Sequence, residues 1–126
     1  MYMCAQKFSK KDLGIKGERI AQIYLLKKGY TILDINKRFG RFEIDIIAQM
    51  DDQVVFIEVK TRSTAYFGFP EEFVSDKQKN NFLQAADLYF AENKRLTVIR
   101  FDIIAIVIQK NITSLRHFQD TIISMT

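Results

Sequence analysis

Apolar and polar positions along the chain follow two periods. From about Asp12 to Lys28, Leu13, Gly17, Ala21, Tyr24 and Leu25 share one arc of a helix, with Lys16, Arg19 and Lys27 mostly off it. Gly29 is a natural C-terminal stop for that helix. A strand is predicted over about Tyr30–Lys37, with Tyr30, Ile32 and then Asp34 on one side. Two β-rich runs follow, Glu43–Gln49 and Val54–Lys60, joined across Asp51-Asp52. A two-residue hairpin turn there sets Ile44 opposite Val59, Ile46 opposite Ile57 and Ala48 opposite Val55, an apolar face. The other face pairs Glu43 with Lys60, Asp45 with Glu58 and Ile47 with Phe56. Ser75-Asp76-Lys77-Gln78 has the form of a capping box and opens a second helix to about Asn93. Its packing stripe is Phe82, Ala85, Ala86 and Tyr89. Leu96–Ile108 reads as a long, mostly buried strand. In the tail, Leu115, Phe118 and Ile122 fit a short amphipathic helix. The order α-β-β-β-α-β predicts an α/β sandwich, a mixed central sheet flanked by a helix on each face.

The length of 126 residues suits one domain, 1–126, with residues 1–10 expected to be flexible. Apolar residues at 48% and charged residues at 27% are ordinary for a globular protein and exclude collagen-like or disordered acidic chains. No run is long enough to span a bilayer, and Met1–Lys11 lacks the apolar segment of a signal peptide. The expected compartment is therefore the cytoplasm. One cysteine, Cys4, cannot form an internal disulfide, and with one histidine, His117, it excludes a zinc finger. Asn111-Ile112-Thr113 is a glycosylation sequon in form only, since nothing indicates secretion.

The net charge of +4 is unevenly spread. Residues 1–41 carry ten Lys/Arg against three Asp/Glu, a net of +7; residues 42–126 have a net of −3. A basic front beside an acidic body suits a protein that attracts phosphates at one surface and concentrates carboxylates elsewhere. The plainer alternative is that these lysines solvate a helix and its flanks.

The derived hairpin sets two carboxylates, Asp45 and Glu58, opposite each other, which destabilises a sheet unless a cation compensates. Lys60 lies on the same face. Hard carboxylate oxygens suit Mg²⁺ or Mn²⁺, which takes one or two carboxylates and fills its other positions with water and substrate phosphate. Such an ion could generate hydroxide at a phosphoryl centre, and a neighbouring Lys could stabilise the developing charge. The alternative is that both carboxylates face water and pair with Lys60 or Arg41. Glu18, at the rim of the first helix's apolar arc, could reach the same site as a third carboxylate; pairing with Gln22 or Lys11 is its alternative. Glu43 opposite Lys60 reads as a salt bridge. Asp102 interrupts a buried strand, and either pairing near Arg100 or capping an edge would explain it. His117 reads as a packing or interface residue.

Several stretches together resemble the YraN family: Gly14-Ile15-Lys16-Gly17-Glu18, Ala21, Tyr24-Leu25, Gly29-Tyr30, Asn36-Lys37-Arg38, Glu43-Ile44-Asp45-Ile46-Ile47-Ala48, Phe56-Ile57-Glu58-Val59-Lys60-Thr61-Arg62, Lys77-Gln78 and Arg100-Phe101-Asp102. That family resembles a compact branch of the PD-(D/E)XK nuclease superfamily, which includes restriction endonucleases and archaeal-type Holliday-junction resolvases. The resemblance implies a restriction-endonuclease-like core. It implies Asp45 and Glu58 as metal-binding carboxylates, with the Val59 main-chain carbonyl as a further ligand and Mg²⁺ or Mn²⁺ as cofactor. Lys60 would be the lysine of the E-x-K motif, Glu18 the first-helix glutamate of resolvase-like members, and Gln78 a polar position near substrate. One departure is Phe42, where the family usually carries glycine; a side chain there would narrow the entrance or alter strand twist.

The expected function is metal-dependent endonucleolytic hydrolysis of DNA, branched or single-stranded, by Asp45, Glu58, Lys60 and Glu18. Lys10, Lys11, Lys16, Arg38, Arg41 and Arg62 would be backbone contacts. Tyr66, Phe67 and Phe69 in the loop Ser63–Glu72 would either stack on unpaired bases or pack the loop onto the body. The alternative is a non-catalytic nucleic-acid-binding or protein-interaction module on the same fold. Many resolvase-like enzymes dimerise, but no self-complementary surface is legible in the sequence.

Overall fold

The computed structural model describes residues 9–63, 75–93 and 99–121. Helix α1 (Lys10–Lys27) is capped by Ser9, whose hydroxyl accepts from the Asp12 N–H at 3.1 Å. It thus begins at Lys10, inside the stretch expected to be flexible. Three strands follow, β1 (Thr31–Phe39), β2 (Phe42–Met50) and β3 (Gln53–Arg62), then helix α2 (Asp76–Glu92) and strands β4 (Ile99–Ile108) and β5 (Thr113–Phe118). They form one five-stranded sheet in the order β1-β2-β3-β4-β5. Only β3 and β4 run parallel, the pair whose connection includes α2; every other neighbour is antiparallel.

Each face of the sheet has its own core. On one side Ala21 and Leu25 of α1 pack on Ile46, Ala48, Val55, Ile57, Ile104 and Ile106, an aliphatic layer. On the other side Phe82, Ala85, Ala86 and Tyr89 of α2 pack on Phe39, Ile44, Ile47, Phe56 and Phe101. This layer is aromatic: the Phe82 and Phe101 rings lie 5.1 Å apart, and Tyr89 meets Phe56 edge-on at 5.4 Å. The predicted stripes of both helices are the ones that pack.

The tail differs from expectation. Residues 113–118 form an edge strand, not a helix, pairing antiparallel with β4 from Ile108↔Thr113 to Ile103↔Phe118. Leu115 packs under α1 while Phe118 packs on the α2 side. A helical reading put both on one stripe, whereas β4 offers an edge that only a strand can satisfy. Ile122 lies outside the described residues.

Strand parity also differs in two places. A shift between Ile32 and Asp34 turns Asp34 away from Tyr30 and Ile32, so that it pairs with Ile47. Ile44, expected beside Ile46 and Ala48 under α1, packs instead with Ile47 against α2. Between Ile44 and Ile46 lies Asp45, and the inversion occurs there.

Candidate functional site

The β2–β3 hairpin keeps its predicted register from Met50↔Gln53 through Ala48↔Val55 to Ile46↔Ile57, and the ladder ends there. Asp45↔Glu58, Ile44↔Val59 and Glu43↔Lys60, expected as the next pairs, are not formed. The Val59 N–H donates instead to Asp45 Oδ2 at 2.8 Å. A side chain has replaced a backbone acceptor, and the two strands part at that point. On the other side of β2 the ladder to β1 also skips this position. Ile35↔Ile46 and Lys37↔Ile44 pair, but Asn36 and Asp45 between them do not, and Asn36 has a left-handed φ of 52°.

Asp45 consequently feels charges from both layers. Burial raises its pKa most, and Glu18, Glu58 and Glu43 raise it further. The hydrogen bond from Val59 only partly opposes them, and the carboxyl is pushed up to about 7. Glu18, half-buried on α1, is also raised, first by burial and then by Glu43, while the Asn36 side chain on β1 opposes them. Its place on the sheet depends on Gly17. A Cβ at Gly17 would overlap the side chain of Thr61 on β3, so glycine permits the close helix–strand approach that delivers Glu18.

Glu58 is compensated differently. Lys60 Nζ lies 3.5 Å from its Oε2, and Gln78 Nε2 donates to the same oxygen at 2.6 Å. Gln78 is held in turn by the α2 capping box: its Oε1 accepts from the Ser75 N–H at 3.2 Å, and its own N–H donates to Ser75 Oγ at 3.2 Å. With Oε1 so engaged, Nε2 is turned toward Glu58. The capping box expected from the sequence and the contact with Glu58 are thus one arrangement. A small, half-open recess lies here. Phe42, Ile44, Ile57, Phe82 and Phe101 form its apolar wall, and Glu43, Asp45, Glu58, Gln78 and Asn81 its polar side. Phe42 stacks beside Phe39 with ring centroids 6.4 Å apart, so the side chain found where the resemblance implied glycine becomes part of that wall.

The other predicted residues divide. Glu43 pairs with Arg38 at 3.4 Å rather than with Lys60, because the parity inversion turns it toward the α1 face. Arg38 is exposed and engaged by that pair. Lys10, Lys11, Lys16 and Arg41 are exposed, on α1 and at the β1–β2 turn. Arg62, exposed at the end of β3, donates to the Thr61 carbonyl at 3.1 Å. Tyr66, Phe67 and Phe69 lie outside the described residues.

Among the described residues, no three Asp, Glu, His or Cys side chains converge into a closed chelate. The donor chemistry still fits a hard divalent cation. Such an ion is satisfied by one or two carboxylates with water completing its shell, and Asp45 is a carboxylate whose neighbours leave it short of positive charge.

Sequence reasoning missed the polar cluster at the other end of α1. Asp102 is fully buried, and Arg100 holds it through Nε at 2.9 Å and Nη2 at 2.8 Å. His117 Nε2 lies 2.7 Å from its Oδ2, and the Asp120 N–H donates to Oδ1 at 2.9 Å. The Tyr24 hydroxyl meets His117 Nδ1 at 2.9 Å, and Arg100 reaches the Tyr30 hydroxyl at 2.8 Å. Of the two explanations open for Asp102, pairing with Arg100 is the one found. The signal was the Arg100–Asp102 spacing on one strand face; that His117 completes the set depended on the tail being a strand.

The described part of the chain has no helix long and apolar enough to cross a membrane. Comparison with known proteins bears on the chain's lineage. It is 44% identical over 109 residues to a UPF0102 protein of Christiangramia forsetii, covering 86% of this chain and 92% of the relative. It is 42% identical over 109 residues to a UPF0102 protein of Flavobacterium psychrophilum, with the same coverage of each. A UPF0102 protein of Clostridioides difficile is also 42% identical over 109 residues, covering 85% of this chain and 96% of the relative. The family model matches residues 17–106, from the glycine that seats α1 through most of β4, and the chain belongs to the uncharacterised protein family UPF0102.

Proposed function

We propose that the protein is a Mg²⁺- or Mn²⁺-dependent phosphodiesterase that cuts DNA, at branched or single-stranded structures. The observation that carries this reading is the state of Asp45. Asp45 lies at a gap in the sheet with one oxygen held by the Val59 N–H at 2.8 Å, and burial and then Glu18, Glu58 and Glu43 raise its pKa against that bond. A group kept in that state at a gap in the sheet is better explained by a task than by stability. A divalent cation would be held by Asp45, Glu58 and the Val59 carbonyl, and would supply an activated water and neutralise charge on a phosphate.

The chain's own residues divide the remaining work. The Val59 N–H fixes one oxygen of Asp45. Gln78 and Lys60 hold Glu58, with Lys60 beside it as the cation available to charge developing on a phosphoryl oxygen. Glu18 adds negative charge from the α1 side, which favours a cation at Asp45. The apolar side chains from Phe42 to Phe101 line the recess beside the carboxylates. The basic residues of α1 and the β1–β2 turn would contact the DNA backbone without reading sequence.

The test is a cleavage panel of single-stranded, duplex, flap and four-way-junction DNA and a single-stranded RNA, each with Mg²⁺, Mn²⁺ or EDTA. Metal-dependent cutting by the wild type, lost by about 10³-fold in Asp45→Asn and Lys60→Ala, is the expected result. No cutting and no metal-induced rise in melting temperature would remove the reading and favour a non-catalytic binding module.

A further inference from the structure

We propose that the recess beside Asp45 and Glu58 is a nucleobase subsite, in which Phe42 stacks on one unpaired base and the Asn81 carboxamide hydrogen-bonds its edge; this deepens the reading of the carboxylate site given above and rests on it. Phe42 is the outer end of a row of rings. The Phe56 and Phe39 centroids lie 5.9 Å apart with planes 29° apart, and the Phe39 and Phe42 centroids 6.4 Å apart with planes 24° apart. Phe56 and Phe39 are buried, whereas Phe42 is only partly so. Of the three, Phe42 alone lines the recess. Phe39 and Phe42 pair across the Gly40-Arg41 turn, where Gly40 has a φ of 65°. The outer ring is therefore held in place before any ligand arrives, and a planar base in the recess continues the row.

Asn81 lines the same recess from α2, one helical turn after Gln78. The Gln78 amide is engaged by Ser75 and Glu58. No hydrogen bond among the described residues engages the Asn81 carboxamide. It offers one acceptor and two donors, the chemistry that meets the polar edge of a base. Asp45 and Glu58 line the recess too, so a phosphate held there brings its own nucleoside alongside Phe42. Phe42 and Asp45 are three residues apart on β2, about 10 Å of strand, so the held phosphate and the stacked base belong to one nucleotide or to neighbours. In a duplex, a base has its faces covered by its neighbours and its edge by its complement. The subsite therefore takes a base that is already unpaired, as in a single strand or at a branch, without the cost of extruding it.

The experiment uses the full chain and a single-stranded DNA whose cut position has been mapped in Mn²⁺. An abasic residue is then placed in turn at each nucleotide flanking the cut. For the wild type, one such strand should show kcat/KM lower by about tenfold to a hundredfold. Phe42→Leu keeps apolar bulk without a ring. It should cut the intact strand about as slowly as the wild type cuts the abasic one and lose nothing further on the abasic strand, because both changes remove one contact. Phe42→Trp should restore the wild-type pattern. Asn81→Ala should alter the relative rates for the four bases at that position and leave the melting temperature unmoved. Equal cutting of intact and abasic strands by the wild type, or an equal loss on both in Phe42→Leu, would overturn the subsite and leave the nuclease reading intact. If the wild type cuts nothing, the same strand is bound with Ca²⁺ present and 2-aminopurine at successive positions. Fluorescence quenched by the wild type but not by Phe42→Leu would support the subsite and remove the nuclease reading; no quenching at any position would overturn both.

Discussion

Asp45 and Asp102 are the same residue type, both shielded by the same sheet, and they titrate in opposite directions. Burial pushes each carboxyl up. At Asp102 the hydrogen bonds from His117, Arg100 and the Asp120 N–H outweigh that cost and hold the pKa below the usual carboxylate value. At Asp45 one N–H opposes three carboxylates, and the pKa reaches about 7. The difference lies in the partners, not in depth. Asp102 ties α1, β4 and β5 together through Tyr24, Arg100 and His117, which is a structural task. Asp45 lacks such partners and lies where two ladders are interrupted, which leaves its charge for something not part of the chain.

The comparison breaks most readily at Asp102. Asp102→Asn leaves the half-buried Arg100 without its counter-charge and weakens the hydrogen bonds that meet at the fully buried Asp102, and should cost about 3 kcal/mol of stability by denaturant unfolding. A loss under 1 kcal/mol would make the network ornamental.

The next effect has the opposite sign. Because the Asp45 pKa is higher folded than unfolded, its contribution is fully present below about pH 4 and is lost as pH rises through about 7. Without metal, Asp45→Asn should therefore be more stable than wild type at pH 8, by up to about 4 kcal/mol, with the difference vanishing near pH 4. Asp102, whose folded pKa is lowered, should instead lose its contribution as pH falls below about 4. Thermal unfolding from pH 3 to pH 8 measures both limbs. Adding Mn²⁺ at pH 8 should raise the wild-type melting temperature and leave Asp45→Asn unmoved.

Gly17→Ala should cost roughly 1–3 kcal/mol, since the new Cβ overlaps Thr61 at the α1–β3 contact. Pairing it with Thr61→Ala should recover part of that loss; no recovery would mean the helix moves for another reason.

The smallest stability change is expected for Gln78→Glu. Glutamate at this helix position preserves the capping box but sets a carboxylate against Glu58. Stability should change by under about 1 kcal/mol, while metal-dependent cleavage falls about tenfold. Equal activity would show that Gln78 serves the helix alone.

Much of this was legible in residue order. Helical spacing marked the stripes of α1 and α2, and alternation in the two β-rich runs gave the Ala48↔Val55 and Ile46↔Ile57 pairs, because period and side-chain class are local properties. The same alternation, carried one residue further, paired Asp45 with Glu58 and Glu43 with Lys60. It failed there because a strand can change face where its neighbour does, and no local pattern around Asp45 records that Asn36 on the adjacent strand is left-handed. The tail failed for a similar reason: Thr113–Phe118 is a strand because β4 offers it an edge.

The sequence by itself determined the helices, the hairpin, the two-sided core and the residue types of the site. Tertiary structure alone decided that Asp45 stands apart from its ladder, that Gln78 is both cap and partner to Glu58, and that Arg100, Asp102, His117 and Tyr24 form one network. The physical reason is range. Periodicity and capping act over a few residues, while a pKa or a broken register is set by groups that only the packed sheet brings together.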